Sequence, residues 1–138
     1  MKQRQLSLGD IILIVHGEAE GCSFEEKMWI AHTLLNRERY EYEHLKNYFR
    51  DPYVDYHGAS RKWKISNIIE RRAFVETCNA CFKALADHLA GVDPTNGAVY
   101  FATKRCLRGH DPTDFFGDVE EITVPGYFQH RFFRVVEL

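Results

Sequence analysis

The sequence predicts an α+β domain, mostly helical, with a small antiparallel β-sheet towards its C-terminal end. Three observations lead there. Capped segments with three–four apolar spacing fill much of the chain up to Gly91. The turn Asp93-Pro94-Thr95-Asn96-Gly97 separates them from the C-terminal part, because proline fixes φ and Asn-Gly tolerates positive φ. Beyond it, Ala98-Val99-Tyr100-Phe101-Ala102 and His130-Arg131-Phe132-Phe133-Arg134-Val135-Val136 are rich in β-branched and aromatic residues and can pair with each other. A chain of 138 residues suits a single domain, 1–138, and can bury a core without staples.

The first element opens at Ser7, which can cap a helix, with Asp10 placed where an acid favours the helix N-terminus. Ile11 to Val15 are apolar without interruption. Such a run also fits a buried strand, and the cap decides for helix. Gly17 brings it to its end near Glu18. Gly21-Cys22-Ser23 is a break. Ser23-Phe24-Glu25-Glu26 has the form of a capping box, with Glu26 at the third helical position. The helix it starts, about Phe24 to Arg39, carries Met28, Ala31, Leu34 and Leu35 on one face, widened by Trp29 and Ile30, so it is expected to be central.

Tyr40 to Arg50 suggests a short surface helix stopped by Asp51-Pro52. Tyr53 to Lys64 has no period and reads as a long loop of the kind that carries function. Ser66 can cap the longest helix, about Asn67 to Ala90. Ile68, Arg72, Val75, Cys78, Phe82, Leu85 and Leu89 form its expected buried stripe, and Gly91 its stop. Lys104 to Asp118, with His110 and the Asp111-Pro112 turn, reads as a further loop.

Composition excludes some classes. Formal net charge is −2, against the basic excess of a dedicated nucleic-acid binder. Local basic clusters at Arg61-Lys62-Trp63-Lys64 and Lys104-Arg105-Cys106-Leu107-Arg108 read as solvated faces or as contacts to an anionic polymer. No apolar run approaches a membrane span, and the N-terminal run is too short for a secretory signal, so synthesis in the cytoplasm is expected. Aromatic residues reach 14%, which suits a core or a sugar-binding groove. Cys22, Cys78, Cys81 and Cys106 include one CxxC pair, Cys78-Asn79-Ala80-Cys81, inside a helical pattern. Without a second pair or spaced histidines this implies buried or half-buried free thiols rather than a metal site, although a thiol–metal protein using all four cysteines is a further reading.

Acid–base chemistry concentrates at His16-Gly17-Glu18-Ala19-Glu20-Gly21. A carboxylate directly after an apolar run is expected to be partly desolvated, which raises its pKa towards that of a general acid. A solvated surface glutamate is the plain alternative. His16 can hydrogen-bond nearby or simply pack.

Four blocks in order resemble the cell-wall hydrolases of the spore-cortex-lytic type. His16-Gly17-Glu18-Ala19-Glu20-Gly21 is similar to that family's Tyr/His-Gly-Glu-Ala-Arg-Gly. Ile30-Ala31-His32-Thr33-Leu34-Leu35-Asn36-Arg37 is similar to its apolar helix ending in Asn-Arg. Asp93-Pro94-Thr95-Asn96-Gly97-Ala98-Val99-Tyr100-Phe101 is similar to its Asp-Pro-Thr-x-Gly-Ala-x-x-Tyr/Phe. His130-Arg131-Phe132-Phe133 resembles its His-x-Phe-Tyr. Three departures stand out: Glu20 replaces a common Arg, Cys22 replaces a common acid, and Tyr56-His57-Gly58-Ala59-Ser60 occupies the place of a Gln-Phe-Ser-like segment.

The resemblance implies a lysozyme-like single domain acting on peptidoglycan glycan strands as a monomer. It implies a lytic transglycosylase that cleaves the MurNAc-β-1,4-GlcNAc bond with Glu18 as catalytic acid, and no metal or cofactor. Glu20, Asn36, Tyr100 and His130 are its candidate substrate contacts. Asn36 and Arg37 also suit a structural role, Tyr100 and Phe101 the core, His130 a strand network, and Asp93 and Thr95 the turn. A phage endolysin or a bacterial enzyme of wall turnover fits the resemblance. The rival reading is a catalytically silent glycan-binding or virion structural module on the same fold.

Overall fold

A computed structural model describes residues 6–37 and 68–136. The short helix expected over Tyr40–Arg50, the loop over Tyr53–Lys64 and the basic cluster at Arg61–Lys64 lie outside the described residues. The chain folds as an α+β unit in which three principal helices share a core with a three-stranded antiparallel sheet.

Helix α1, Leu8–Ala19, starts at Ser7 with a full capping box. The Ser7 hydroxyl accepts from the Asp10 N–H at 3.0 Å, and the Asp10 carboxylate accepts from the Ser7 N–H at 3.0 Å. Ile11, Ile14, Val15 and Ala19 are almost fully buried, the spacing of one helix face. The apolar run is therefore helical, and it continues through Gly17 and Glu18 to a cap at Glu20.

Helix α2, Phe24–Arg37, is buried at every position from Glu26 onward except Met28, which is half-buried. The expected central position is correct, but the burial is not confined to an apolar stripe. Glu26, Lys27, His32, Thr33, Asn36 and Arg37 go inside with the hydrophobic residues. Buried polar groups are costly unless they are partnered. Most of these are, and their partners place the other elements.

Helix α3, Ile68–Leu89, packs on both α1 and α2. Its limits match the expected ones, but its orientation does not. Val75, Phe82 and Leu89 of the expected stripe are 57%, 51% and 78% exposed, Arg72 is exposed, and Cys78 is half-buried. The buried face is Thr77, Ala80, Cys81 and Ala84. Small side chains there allow α3 to approach two helices at once, and that close fit overrides the larger apolar residues on the other side. The helix stops at Gly91, φ 77°, where the Val92 N–H reaches back to the Asp87 carbonyl at 2.8 Å.

The next turn has Asn96 and Gly97 at positive φ, 54° and 89°. Strand β1, Tyr100–Thr103, comes after it and pairs with β3, His130–Val135, in the register Tyr100↔Phe133 and Phe101↔Phe132. The expected pairing of these two segments is correct. Strand β2, Val119–Ile122, joins the other edge of β3, giving the order β1-β3-β2. It is clasped on the surface by ion pairs from Arg131 to Glu121 and Arg134 to Glu120. Instead of one loop, residues 104–118 contain two short helices, α4 (Lys104–Leu107) and α5 (Pro112–Phe116). The Asp111 side chain caps α5, and Pro112 occupies its first turn, where a missing N–H costs nothing. Among the described residues, no helix is long and apolar enough to cross a membrane.

Candidate active site

Three internal hydrogen-bond networks organise the fold: two tie the turn and the sheet to α2, and the third ties α1 to α3. In the first, the Asn36 amide donates to the Asp93 carboxylate at 3.0 Å, the Ala98 carbonyl at 3.0 Å and the Thr95 hydroxyl at 3.3 Å. Asp93 in turn accepts from the Thr95 N–H, the Thr95 hydroxyl and the Gly97 N–H. Burial alone pushes the Asp93 carboxyl up, but these donors outweigh it and hold the group below the ordinary carboxylate range. Arg37 donates to the Val99 carbonyl at 2.7 Å and lies over the Tyr100 ring at 5.3 Å. The helix end and the turn are thus one structural unit.

The second network joins α2 to β3. The Glu26 carboxylate accepts from the backbone N–H groups of Gln129 and His130 at 3.0 Å each. The Nδ1 of His130 lies 2.6 Å from the same carboxylate. Glu26 is 2% exposed and His130 1%. Desolvation pushes the Glu26 carboxyl up, and the His130 ring and the backbone donors together bring it below its usual value. The Glu26 N–H does bond the Ser23 hydroxyl, at 3.2 Å, as half of the expected capping box. The carboxylate, however, serves the start of β3.

The third network ties α1 to α3. The Thr77 hydroxyl donates to the Ala73 carbonyl at 2.9 Å, leaving its oxygen to accept from His16 Nδ1 at 2.9 Å. That assigns a proton to Nδ1. The other ring nitrogen faces the Glu20 carboxylate at 3.9 Å, one helical turn away. Glu20 thus lies within ion-pair reach of His16 on the same helix.

Each residue expected at the site now has a position. Glu18 is half-buried in the last turn of α1, and Glu20 caps the helix with a side chain 36% exposed. Asn36 is 3% exposed and occupied by the turn, and Tyr100 is 2% exposed and stacked on Phe116 at 4.6 Å. His130 is held by Glu26, with the Phe101 ring edge at 5.7 Å. The structure thus separates two carboxylates that reach the surface at the end of α1 from buried polar residues that fix the scaffold. Lys104, Arg105 and Arg108 form an exposed basic patch on and beside α4.

Glu26 and Thr77 were not singled out by sequence reasoning. Glu26 already satisfied a local motif, and Thr77 stood within a helical pattern. Their partners lie 103 or 104 residues and 61 residues away, so no local spacing signals them. The cysteines are all free, with Cys81 buried, Cys22 and Cys78 half-buried and Cys106 exposed. The expectation of buried or half-buried thiols therefore fails at Cys106. Comparison of the chain with protein-family models, curated proteins and solved structures finds no match.

Proposed function

We propose that the protein is a peptidoglycan-degrading glycosidase of lysozyme-like type, acting as a lytic transglycosylase with Glu18 as its acid and base. The observation that carries this reading is the position of Glu18, half-buried in the last turn of a helix whose Ile14 and Val15 are fully buried. The end of a helix carries partial negative charge from its unpaired carbonyls, a setting that favours a protonated carboxyl. The ordered sequence blocks supply the substrate class.

In the proposed reaction, protonated Glu18 gives its proton to the glycosidic oxygen as the C1–O bond of the muramic residue breaks. The carboxylate then accepts the proton of the muramic C6 hydroxyl, whose oxygen bonds to C1. The products are a 1,6-anhydro end and a free 4-hydroxyl end. No carboxylate nucleophile is needed, unlike in a retaining glycosidase with two carboxyls about 5–5.5 Å apart. Glu20, beside His16, borders the same surface and is assigned to a sugar contact.

Turbidity loss of purified peptidoglycan tests the reading. The wild type is expected to clear it and Glu18→Gln to fail while keeping its helical circular dichroism. Equal clearing by both removes Glu18 from the chemistry. An inert wild type that still sediments with the polymer indicates a glycan-binding module. Mass spectrometry of released muropeptides then separates anhydro ends, expected here, from the reducing ends of hydrolysis.

A further inference from the structure

The core takes the small side chains of α3 and leaves large ones outside. Val75, Phe82 and Leu89 are all exposed and stand seven residues apart. Seven residues are close to two helical turns, so the three lie in one nearly straight row. Exposed small residues alternate with them: Asn79 four residues after Val75, and Ala86 four after Phe82. Beside the row, between α3 and the first residue of α2, lies a groove of about 430 Å³ lined by Phe24, Arg71, Arg72, Val75, Glu76 and Asn79. Single exposed apolar residues are ordinary, but a row of them bordering a groove has the form of a contact surface.

The row is complementary to itself. A second α3 can be turned end for end about a two-fold axis level with the Ala80–Cys81 peptide. Phe82 of each copy then enters the hole between Val75, Cys78, Asn79 and Phe82 of the other. Val75 likewise enters the hole between Phe82, Leu85, Ala86 and Leu89. Large side chains thus meet gaps between neighbours, as packed helices require. The groove beside Val75 lies where the segment from Phe82 to Leu89 of the other copy comes down. Because one patch serves both copies, the contact closes at two.

Charge selects this occupant and this direction. Arg71 and Arg72 are exposed near the start of α3 and make no ion pair among the described residues. Antiparallel pairing brings them to the last turn of the other α3, where the helix end carries partial negative charge. Parallel pairing would set them against their own copies. Glu76 and Lys83 share one flank of the row. The two-fold axis sets Glu76 of each copy beside Lys83 of the other, roughly 3 Å apart along the axis. Lys27 already neighbours Glu76, and Asp87 neighbours Lys83, yet the two side chains remain 45% and 56% exposed.

We propose that the exposed face of α3 is a homodimer interface in which two copies of this chain pair their α3 helices antiparallel. This departs from the monomer that the resemblance implies. One helix face is smaller than the roughly 800 Å² a side of a standard interface, so dissociation is expected on the order of 10–100 µM.

Sedimentation equilibrium of the full chain is the test, run in reductant so that the exposed Cys106 forms no disulfide. The wild type is expected to pass from monomer to dimer between about 1 and 500 µM and to go no further. Phe82→Ser and Leu89→Ser, at exposed positions, are each expected to raise the dissociation constant at least about 30-fold with circular dichroism unchanged. Lys83→Glu sets a like charge against Glu76 and is expected to raise it about 3–10-fold at low salt and less at high salt. At low micromolar concentration the monomer dominates, so Phe82→Ser leaves thermal stability there as it is. Arg105→Ser, on α4, and Glu18→Gln are expected to keep the wild-type constant, which makes the outcome independent of the peptidoglycan reading. A wild type still monomeric at about 500 µM, or a larger assembly, overturns the proposal. So does a dissociation constant unmoved by the two serine substitutions or by Lys83→Glu.

Discussion

Glu26→Gln is the substitution that most directly tests the account of the scaffold. The wild-type carboxylate takes three donors: the Gln129 N–H, the His130 N–H and the His130 ring. A glutamine offers a single carbonyl oxygen, enough for two of them, and turns its own NH2 towards the third. One buried donor left facing another costs about 1–3 kcal/mol. The two retained bonds fall from charged-acceptor to neutral strength, a loss of about 1 kcal/mol each. The total, about 3–5 kcal/mol, is a large part of the 5–15 kcal/mol typical of a domain. Guanidinium unfolding followed by circular dichroism measures it as a lower midpoint at unchanged slope. The sign of the pH dependence comes from the depressed Glu26 pKa. The unfolded carboxyl binds its proton at higher pH than the folded one, so this stabilisation is complete above the unfolded value. It is lost as pH falls through the folded value. The gap between wild type and Glu26→Gln is therefore widest at neutral pH and closes in acid. A gap under about 1 kcal/mol at neutral pH, or one that does not narrow in acid, would refute this role of Glu26.

The same contacts set three further outcomes. Burial holds the His32 imidazole below its ordinary pKa, against the opposing pull of Asp93 and Asp87, so it is neutral in the fold but protonates in the unfolded chain from near pH 6.5 downward. Stability should therefore decline below that pH by up to about 1.4 kcal/mol per pH unit from this group, and His32→Met should flatten the decline in acid-titrated melts. Asn36→Ala, which strips donors from Asp93 and the Ala98 carbonyl, should cost about 2–4 kcal/mol in chemical unfolding. On α3, Phe82→Ser should change stability by no more than about 0.5 kcal/mol, whereas Ala80→Leu should cost about 1–3 kcal/mol or more, and paired thermal melts would expose the reverse order.

What could be read from the chain was whatever depends on neighbours in sequence. Ser7 and Asp10 form the cap that their three-residue separation suggested, Gly91 stops α3, and the β-branched and aromatic content of the two C-terminal segments identified the β1–β3 pair. The face of α3 was not legible. Val75, Phe82 and Leu89 give a stronger apolar signal than Thr77, Ala80, Cys81 and Ala84, yet a helix that must touch two others closely is selected for small residues. Strand β2 was missed because Glu120 and Glu121, its surface residues, hide the alternation in a four-residue element. At the candidate site, position was legible for Glu18 but company was not. Glu20 faces His16 at a spacing any helix provides, whereas the Thr77 contact that orients His16 depends on α3 crossing α1.

The distribution of polar residues bears on the proposal that catalysis falls to α1 rather than to α2. A helix as polar as α2 can be buried only if its side chains have partners, and those partners come from every other layer. Asn36 and Arg37 hold the turn and the approach to β1, Glu26 holds the start of β3, and Lys27 holds the Ala73 carbonyl of α3. Each buried donor or acceptor accepts one geometry and penalises the rest, so these contacts fix register as well as stability. Residues used this way cannot also turn to meet a polymer without unfolding their surroundings. The end of α1 is placed differently. Its apolar face anchors it in the core, His16 is oriented by Thr77, and Glu18 and Glu20 reach the boundary with solvent. A carboxyl on a rigid helix end, half out of water, is what a glycosidic acid requires. On the proposed reading, the polar residues of α2 serve the scaffold, and catalysis falls to the single turn that the scaffold brings to the solvent boundary.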